Sequence, residues 1–558
     1  MSINNSKSIA LVGIGLLLLL LTASNDRASI NKNGYSTPEE VVTAYLEAFR
    51  DSDISRMMDT FMTERLMEHY DLKASILEIG EFRAELMIPN ANEFISTMSL
   101  EQYRGGTASM ITGQYHALCA FESNLESIPN LQTVINESDV KTIINQMSMI
   151  ANSLDFGTLK VSGFITPESL SSLYDLIGFD SLFDHYLDGS IPEQYDITAK
   201  SVGADKKANC IAVFEINGNH YMQCFEVFEY NGDWRIAQLG GLLYSALSST
   251  LRYNSDSQGL IPLFPISDYS VLDNGAIMEL RNETLKIMKK VKKQSTRPVP
   301  DISTSTSYQG PGFDTPEDAV KAYLEGLRDA DLNRMLSAFA IESIADNYDL
   351  EAALRYYKFY FKSLGLPNVN AFITSLQVEE YKLEAINSIV RQYLLICFAE
   401  SGQVFPENQK IRSESDASAV AALVDEVLNA PKLSTLSIIS HIPLEDFSIL
   451  SPVLGGIELS DSYFTEEAQS MFDNRSRIKG ANKTVDCLTA FEINGNAYLL
   501  CLEAIEYDGK WRINQLGGNL ASWLDIPYSL SGMVPLSFWD ADAGIDADRL
   551  RELIISMG

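Results

Sequence analysis

Cys210–Gly241 reads "CIAVFEINGNHYMQCFEVFEYNGDWRIAQLGG", and Cys487–Gly518 reads "CLTAFEINGNAYLLCLEAIEYDGKWRINQLGG". Of the 32 aligned positions, 20 are identical. Asn217-Gly218 and Asn231-Gly232 each separate runs rich in β-branched and aromatic residues, the composition of hairpin turns between strands. The block is therefore expected to be a three-stranded antiparallel meander ending at Gly240-Gly241, and to occur twice.

A second stretch is also written twice. Thr37–Phe61 reads "TPEEVVTAYLEAFRDSDISRMMDTF" and Thr315–Phe339 reads "TPEDAVKAYLEGLRDADLNRMLSAF", with 14 of 25 positions identical. Thr37 suits an N-cap, Pro38 the first helical position, and Glu40 a capping box; Asp318 takes that last place in the second copy. Val41, Ala44, Tyr45, Ala48 and Phe49 form one apolar helical stripe. Asp53 is expected to cap a second helix. Asp51 and Asp53 suggest a metal pair, but caps account for both, and no His or Cys stands nearby.

The displacement is 278 from Pro38 to Pro316 and 277 from Cys210 to Cys487, so one long unit was duplicated intact. A repeat of that length is a domain. The expected division is a leader with spacer at 1–34, one repeat at 35–294, a linker at 295–312 rich in Ser, Thr, Pro and Gly, and a second repeat at 313–558. The tails correspond as well: "GLIPLF" at Gly259 and "GMVPLS" at Gly532, each followed by an expected terminal helix. A further strand is expected over Tyr115–Phe121, matched by Tyr393–Ala399. Between it and the meander lies an insertion, 124–206, expected to be mainly helical.

The helix pair and the meander ending in "YNGDWRIAQL" together resemble the nuclear transport factor 2-like (NTF2-like) superfamily, in the style of its exported bacterial members of unassigned activity. The resemblance covers Ser36–Phe61, Cys210–Gly241 and their counterparts. It implies an α+β fold of two duplicated domains, each with N-terminal helices packed on a curved antiparallel sheet, here carrying a helical insertion. The family hosts isomerases, dehydratases, hydrolases and non-catalytic binding domains, so the fold alone names no activity.

The chain has 558 residues and a net charge of −33, which repels phosphate backbones and argues against nucleic acid as a partner. The one basic cluster, Lys289, Lys290, Lys292 and Lys293, fits a helix C-terminus. Lys7, the apolar run Ile9–Leu21 and the small residues Thr22, Ala23 and Ser24 have the pattern of a secretory signal peptide or an uncleaved N-terminal anchor. The expected location is thus secreted or extracytoplasmic, with any membrane contact made through that segment.

The six cysteines fall in matched pairs: Cys119 with Cys397, Cys210 with Cys487, and Cys224 with Cys501. Export permits disulfides, and Cys210 and Cys224 flank one hairpin. Three per repeat leaves one over, so small buried hydrophobes are the simpler reading. His69, His116 and His220 are replaced in the second copy by Asn347, Leu394 and Ala497, so no shared histidine chemistry is expected. There is no nucleophile elbow, P-loop, HExxH or dinucleotide fingerprint, and no cofactor is expected.

The candidate site residues are Glu226 and Glu503. By alternation Glu226 shares a face with Met222, Cys224 and Phe228, and Glu503 with Leu499, Cys501 and Ile505. A carboxylate in an apolar row is costly unless paired or protonated. One reading places it at the base of a cone cavity, as a ligand acceptor or general base. The other pairs it with Arg235 or Arg512 on the next strand, or sets it at a solvated sheet edge, and this is the favoured one. Tyr45 and Tyr323 are secondary pocket candidates, with core packing as their plainer role. Trp234 and Trp511 read as core or rim packing. The central strand is apolar on both faces and needs a second cover, either the insertion or the other copy, which makes an intramolecular pseudo-dimer the expected arrangement. The expected function is that of an exported non-enzymatic protein binding a small ligand or an extracellular protein partner. The alternatives are an enzyme using a cavity carboxylate and a structural envelope component.

Overall fold

The computed structural model describes residues 34–82, 90–125, 128, 132–165, 197–241, 243–244, 257–266, 274–288, 308–360, 369–406, 408–444, 463, 465–524, 531–536 and 552. They form two similar units, each of helices on an antiparallel sheet, so the protein is α+β and internally duplicated. Unit one runs α1 (Pro38–Arg50), α2 (Ile54–Met58), α3 (Thr63–His69), α4 (Leu72–Ile79), β1 (Glu81–Phe82), α5 (Glu93–Glu122), β2 (Gln132–Thr133), α6 (Glu137–Ala151), β3 (Lys160–Ile165), β4 (Lys206–Ile216), β5 (Asn219–Tyr230), β6 (Asp233–Leu239), β7 (Leu260–Pro262) and α7 (Asn274–Met288). Unit two runs α8 (Pro316–Arg328), α9 (Leu332–Ser337), α10 (Ile341–Asn347), α11 (Leu350–Tyr357), β8 (Phe359–Tyr360), α12 (Ala371–Ser401), β9 (Gln409–Lys410), α13 (Glu414–Leu428), β10 (Ser437–Ile442), α14 (Glu466–Ile478), β11 (Lys483–Ile493), β12 (Asn496–Tyr507), β13 (Lys510–Leu516), α15 (Gly518–Trp523) and β14 (Met533–Pro535).

The first helix starts as its sequence dictates. The Thr37 hydroxyl accepts from the Glu40 amide at 3.2 Å, while the Glu40 carboxylate reaches past it to the Ser36 amide at 2.9 Å. Asp53 caps α2 by accepting from the Arg56 amide at 3.0 Å, and Asp51 pairs with Arg50 and Arg56. No cluster able to hold a metal ion occurs among the described residues.

The meander forms in both units. Asn217 and Gly218 both have positive φ, as do Asn231 and Gly232, the backbone that two-residue hairpin turns require. Sheet order is β3-β4-β5-β6 with β7 beside β5, and β10-β11-β12-β13 with β14 beside β12. The strands β3 and β10 come from the insertion, which is therefore not simply helical; α6 also belongs to it, and 166–196 lies outside the described residues.

The strands expected over Tyr115–Phe121 and Tyr393–Ala399 are instead the C-terminal parts of the long helices α5 and α12. Gln114, Tyr115, Ala117, Leu118, Cys119, Ala120 and Phe121 are all buried, so this helix shows no polar face. A helix enclosed on every side has the same run of apolar residues as a buried strand, and periodicity cannot separate the two. Cys119 and Cys397 accordingly sit on helices. All six cysteines are free, and five are buried.

The second face of β12 is covered from within unit two. Leu499 and Cys501 pack with Phe472 of α14 and with Leu520, Ala521 and Leu524 on and beside α15. The units meet elsewhere. β1 pairs antiparallel with β9 and β2 with β8, each pair taking one strand from each unit. The helices α5 and α12 pack on one another. Each core takes in residues of the other unit: Tyr360, Phe372 and Leu376 join the first, and Phe82, Phe94 and Met98 the second. At the crossing Lys382 is fully buried against Glu101 of unit one at 2.9 Å, against Glu379, and over the Tyr308 ring at 4.1 Å.

Of the expected linker, 295–307 lies outside the described residues. Gly310 donates to the Ser337 carbonyl at 3.0 Å, and Phe313 bridges to Trp511. The described residues contain no helix long and apolar enough to cross a membrane; the N-terminal apolar run lies outside them.

Candidate functional site

Glu226 and Glu503 are buried, at 5% and 0% exposure, rather than set at a solvated edge. Nor are they paired with the expected arginines. Arg235 is taken by Asp233 at 2.9 Å, and Arg512 donates to the Gly310 carbonyl at 3.3 Å. Glu226 meets Lys207 on the adjacent strand β4 at 2.9 Å. Thr484 replaces that lysine in unit two, and the cation comes from a helix instead: Arg475 of α14 reaches Glu503 at 3.0 Å. Each copy thus neutralises the same buried carboxylate from a different element, as burial of a charge demands.

Unit two adds a second acid. Asp486 lies directly across from Glu503 on β11, where unit one has Asn209. The Tyr463 hydroxyl donates to Asp486 Oδ2 at 2.8 Å, and Oδ1 is buried without a hydrogen bond. Burial, and then the charge of Glu503, push Asp486 up to about 7.

A β-bulge connects this acid pair to a cavity. The β12–β13 register slips between Glu503 and Ala504, leaving Asn514 as the extra residue on edge strand β13. Bulges re-aim a side chain, and here Asn514 donates to Glu503 while accepting from Lys479 Nζ at 2.5 Å. Lys479 and Asn514 line a cavity of about 250 Å³ with Tyr381, Glu384, Ser388 and Arg391 of α12 and with an apolar wall that includes Phe339, Ile341 and Ile344. Glu384, Ser388 and Arg391 follow Tyr381 at i+3, i+7 and i+10, one face of the helix. Burial pulls the Lys479 ammonium below the usual lysine range; Glu503 and Glu384 oppose that shift and Arg475 adds to it.

The matching positions of unit one are Gly106 for Glu384, Met110 for Ser388, Gly113 for Arg391, Val202 for Lys479 and Ala237 for Asn514. A Cβ at Gly113 would stand 2.7 Å from Gln258 Cγ, so a unit-one side chain crowds the place corresponding to Arg391. Gln515 is matched by Gln238, so what unit two adds is the charged lining, Glu384, Arg391 and Lys479, together with Asn514.

Tyr45 and Tyr323 line no part of this cavity. Both are fully buried, and each donates its hydroxyl to a helix glutamine, Gln114 or Gln392. Gln114 passes the bond to Gln223 at 2.7 Å, and Gln392 to the Ser531 carbonyl at 2.7 Å. These chains satisfy buried polar groups inside the cores. Reading for identity between the copies singled out Glu503 and missed Lys479, Asn514, Arg391 and Asp486. The signal that points to Lys479, Asn514 and Arg391 is the converse one, polar residues where the other copy is small or apolar; for Asp486 it is an acid where the other copy has Asn209.

Fold and site define an α+β protein of two duplicated units, with a polar cavity among the described residues of unit two. No family model and no curated protein matches the chain. The solved structure of a cystatin-like protein from Ruminococcus gnavus is similar to it at 12% identity and a TM-score of 0.46, over 92% of this chain and 94% of that one.

Proposed function

We propose that this is an exported, non-enzymatic binding protein of the NTF2-like type, in which unit two holds a small molecule and unit one serves as its structural counterpart. The observation that carries this reading is the divergence around the cavity. The framework residues are kept in both copies, while Glu384, Arg391, Lys479 and Asn514 stand where unit one has Gly106, Gly113, Val202 and Ala237. Setting a half-buried lysine and an exposed arginine around one concavity is an arrangement that the core does not require, and it suits a ligand. Export rests on the apolar run Ile9–Leu21 behind Lys7.

A thermal-shift screen with native mass spectrometry of the full chain tests the reading, because a ligand of the folded state raises its stability. The expected result is a stabilising ligand whose effect is lost in Ser388→Trp, which fills the cavity, and kept in Met110→Trp at the matching position of unit one. No stabilising compound and no retained species would overturn it. N-terminal sequencing of secreted material tests export, and a start at Met1 would refute it.

A further inference from the structure

The charged groups lining the cavity are Arg391, Lys479 and Glu384, two cations against one acid in a chain of net charge −33. The opposite wall, with Phe339, Ile341 and Ile344, is apolar. A volume of about 250 Å³ is at the small end for ligand sites, so one compound meets both walls at once. We propose that the cavity takes a small monocarboxylate with an aromatic or branched aliphatic tail, its carboxylate set between Lys479 and Arg391. This rests on the reading of unit two as the binding unit and names the chemical class of its ligand.

The argument for one negative charge, and not two, is Glu384. It lies on the same helix face as Arg391, two turns before it, and repels a second carboxylate or a phosphate dianion. The argument for an anion over a cation is the pair of positive groups, together with the way Lys479 is held. Its ammonium donates to the neutral side-chain carbonyl of Asn514, while Glu503 is engaged by Arg475 and by the Asn514 amide. Glu503 and Glu384 act on the lysine only through space, so an anion in the cavity would supply the direct, hydrogen-bonded counter-charge.

Binding should also take up a proton. The groups around Lys479 are Glu384 and Arg391 of α12, Glu503 of β12, Arg475 of α14 and, behind Glu503, Asp486 of β11. Burial lowers the Lys479 affinity for its proton, and an anion placed against it restores that affinity.

Titration calorimetry of the full chain with phenylacetate, 2-phenylethanol and 2-phenylethylamine separates the possibilities, since the three share a tail and differ in charge. Phenylacetate should bind, and the other two should not. Arg391→Met and Lys479→Met should each weaken it by at least about tenfold, and Lys479→Arg should retain most of the affinity. At pH values where Lys479 has begun to lose its proton, the heat should vary between buffers of different ionisation enthalpy in the direction of proton uptake, and Lys479→Arg should reduce that variation. Arg391 is exposed, so its variant folds whether or not Lys479→Met does. Binding of the alcohol or the amine in preference to the acid would overturn the monocarboxylate class and leave the binding site standing. Unchanged phenylacetate affinity in Arg391→Met would also overturn it. Absence of binding by all three would overturn both.

Discussion

At the scale of single residues, the two copies ask the same question of a buried glutamate and answer it differently. Glu226 leans on Lys207, whose side chain is 3% exposed, whereas Arg475 beside Glu503 is 29% exposed. Glu226→Gln strands a desolvated ammonium and should cost about 3 kcal/mol. Glu503→Gln leaves a guanidinium that water reaches, and it removes a charge that repels Asp486, so its cost should be clearly smaller. Urea denaturation of the two single variants checks the order, and equal losses would contradict it. Asp486 supplies a pH prediction with a definite sign. Its folded value of about 7 lies above the ordinary Asp value, so the folded state holds the proton more tightly than the unfolded state. The contribution to stability is complete below about pH 4 and is lost as pH rises through about 7. Asp486→Asn, the residue of unit one at this place, should remove that decline and gain on the order of 4 kcal/mol at pH 8 while changing little at pH 4. Denaturant midpoints across this range read it directly, and a variant with the parent's slope would refute it.

At the scale of elements, the meander was legible because Asn-Gly turns and alternation are local signals. Lys207 sits only 19 residues before Glu226, yet their pairing depends on the β4–β5 register. Arg475 reaches Glu503 through a tertiary docking of α14 that no periodicity encodes. The long helices escaped notice because burial around Tyr115, and full or half burial of the apolar run from Tyr393 to Ala399, left no alternation of polar and apolar residues to mark the helix. Within α5, two adjacent glycines show how the crossing with α12 is built. A Cβ at Gly105 would stand 2.6 Å from Leu383 Cβ, whereas a Cβ at Gly106 meets nothing within 4 Å. Gly105→Ala should therefore destabilise by about 1–3 kcal/mol through overpacking, even after the gain in helix propensity. Gly106→Ala, free of any clash, should stabilise by up to about 1 kcal/mol. Thermal melts of the two neighbours should move in opposite directions.

At the scale of the whole molecule, the duplication joins units that share their cores. Phe82, Phe94 and Met98 of unit one are buried among unit-two side chains, and Tyr360, Phe372 and Leu376 make the reciprocal crossing. Lys382 is buried with a carboxylate from each unit. Burial holds its pKa down, but the two acids outweigh it and leave the ammonium firmly charged. Separation would expose these apolar groups and the mixed pairs β1–β9 and β2–β8 together. Buried apolar side chains are worth about 1.5–3 kcal/mol each, so the six core residues alone hold the units far more tightly than a tether needs to. The composition of 295–307, rich in Ser, Thr and Pro, makes it the expected first site of limited proteolysis. A chain cleaved there should elute from gel filtration at the size of the intact protein and unfold in one transition. Each half expressed alone should fail to give a folded monomer. Two cleaved halves that elute apart and keep their circular dichroism would show that the units fold independently, and the shared cores would then contribute little to stability.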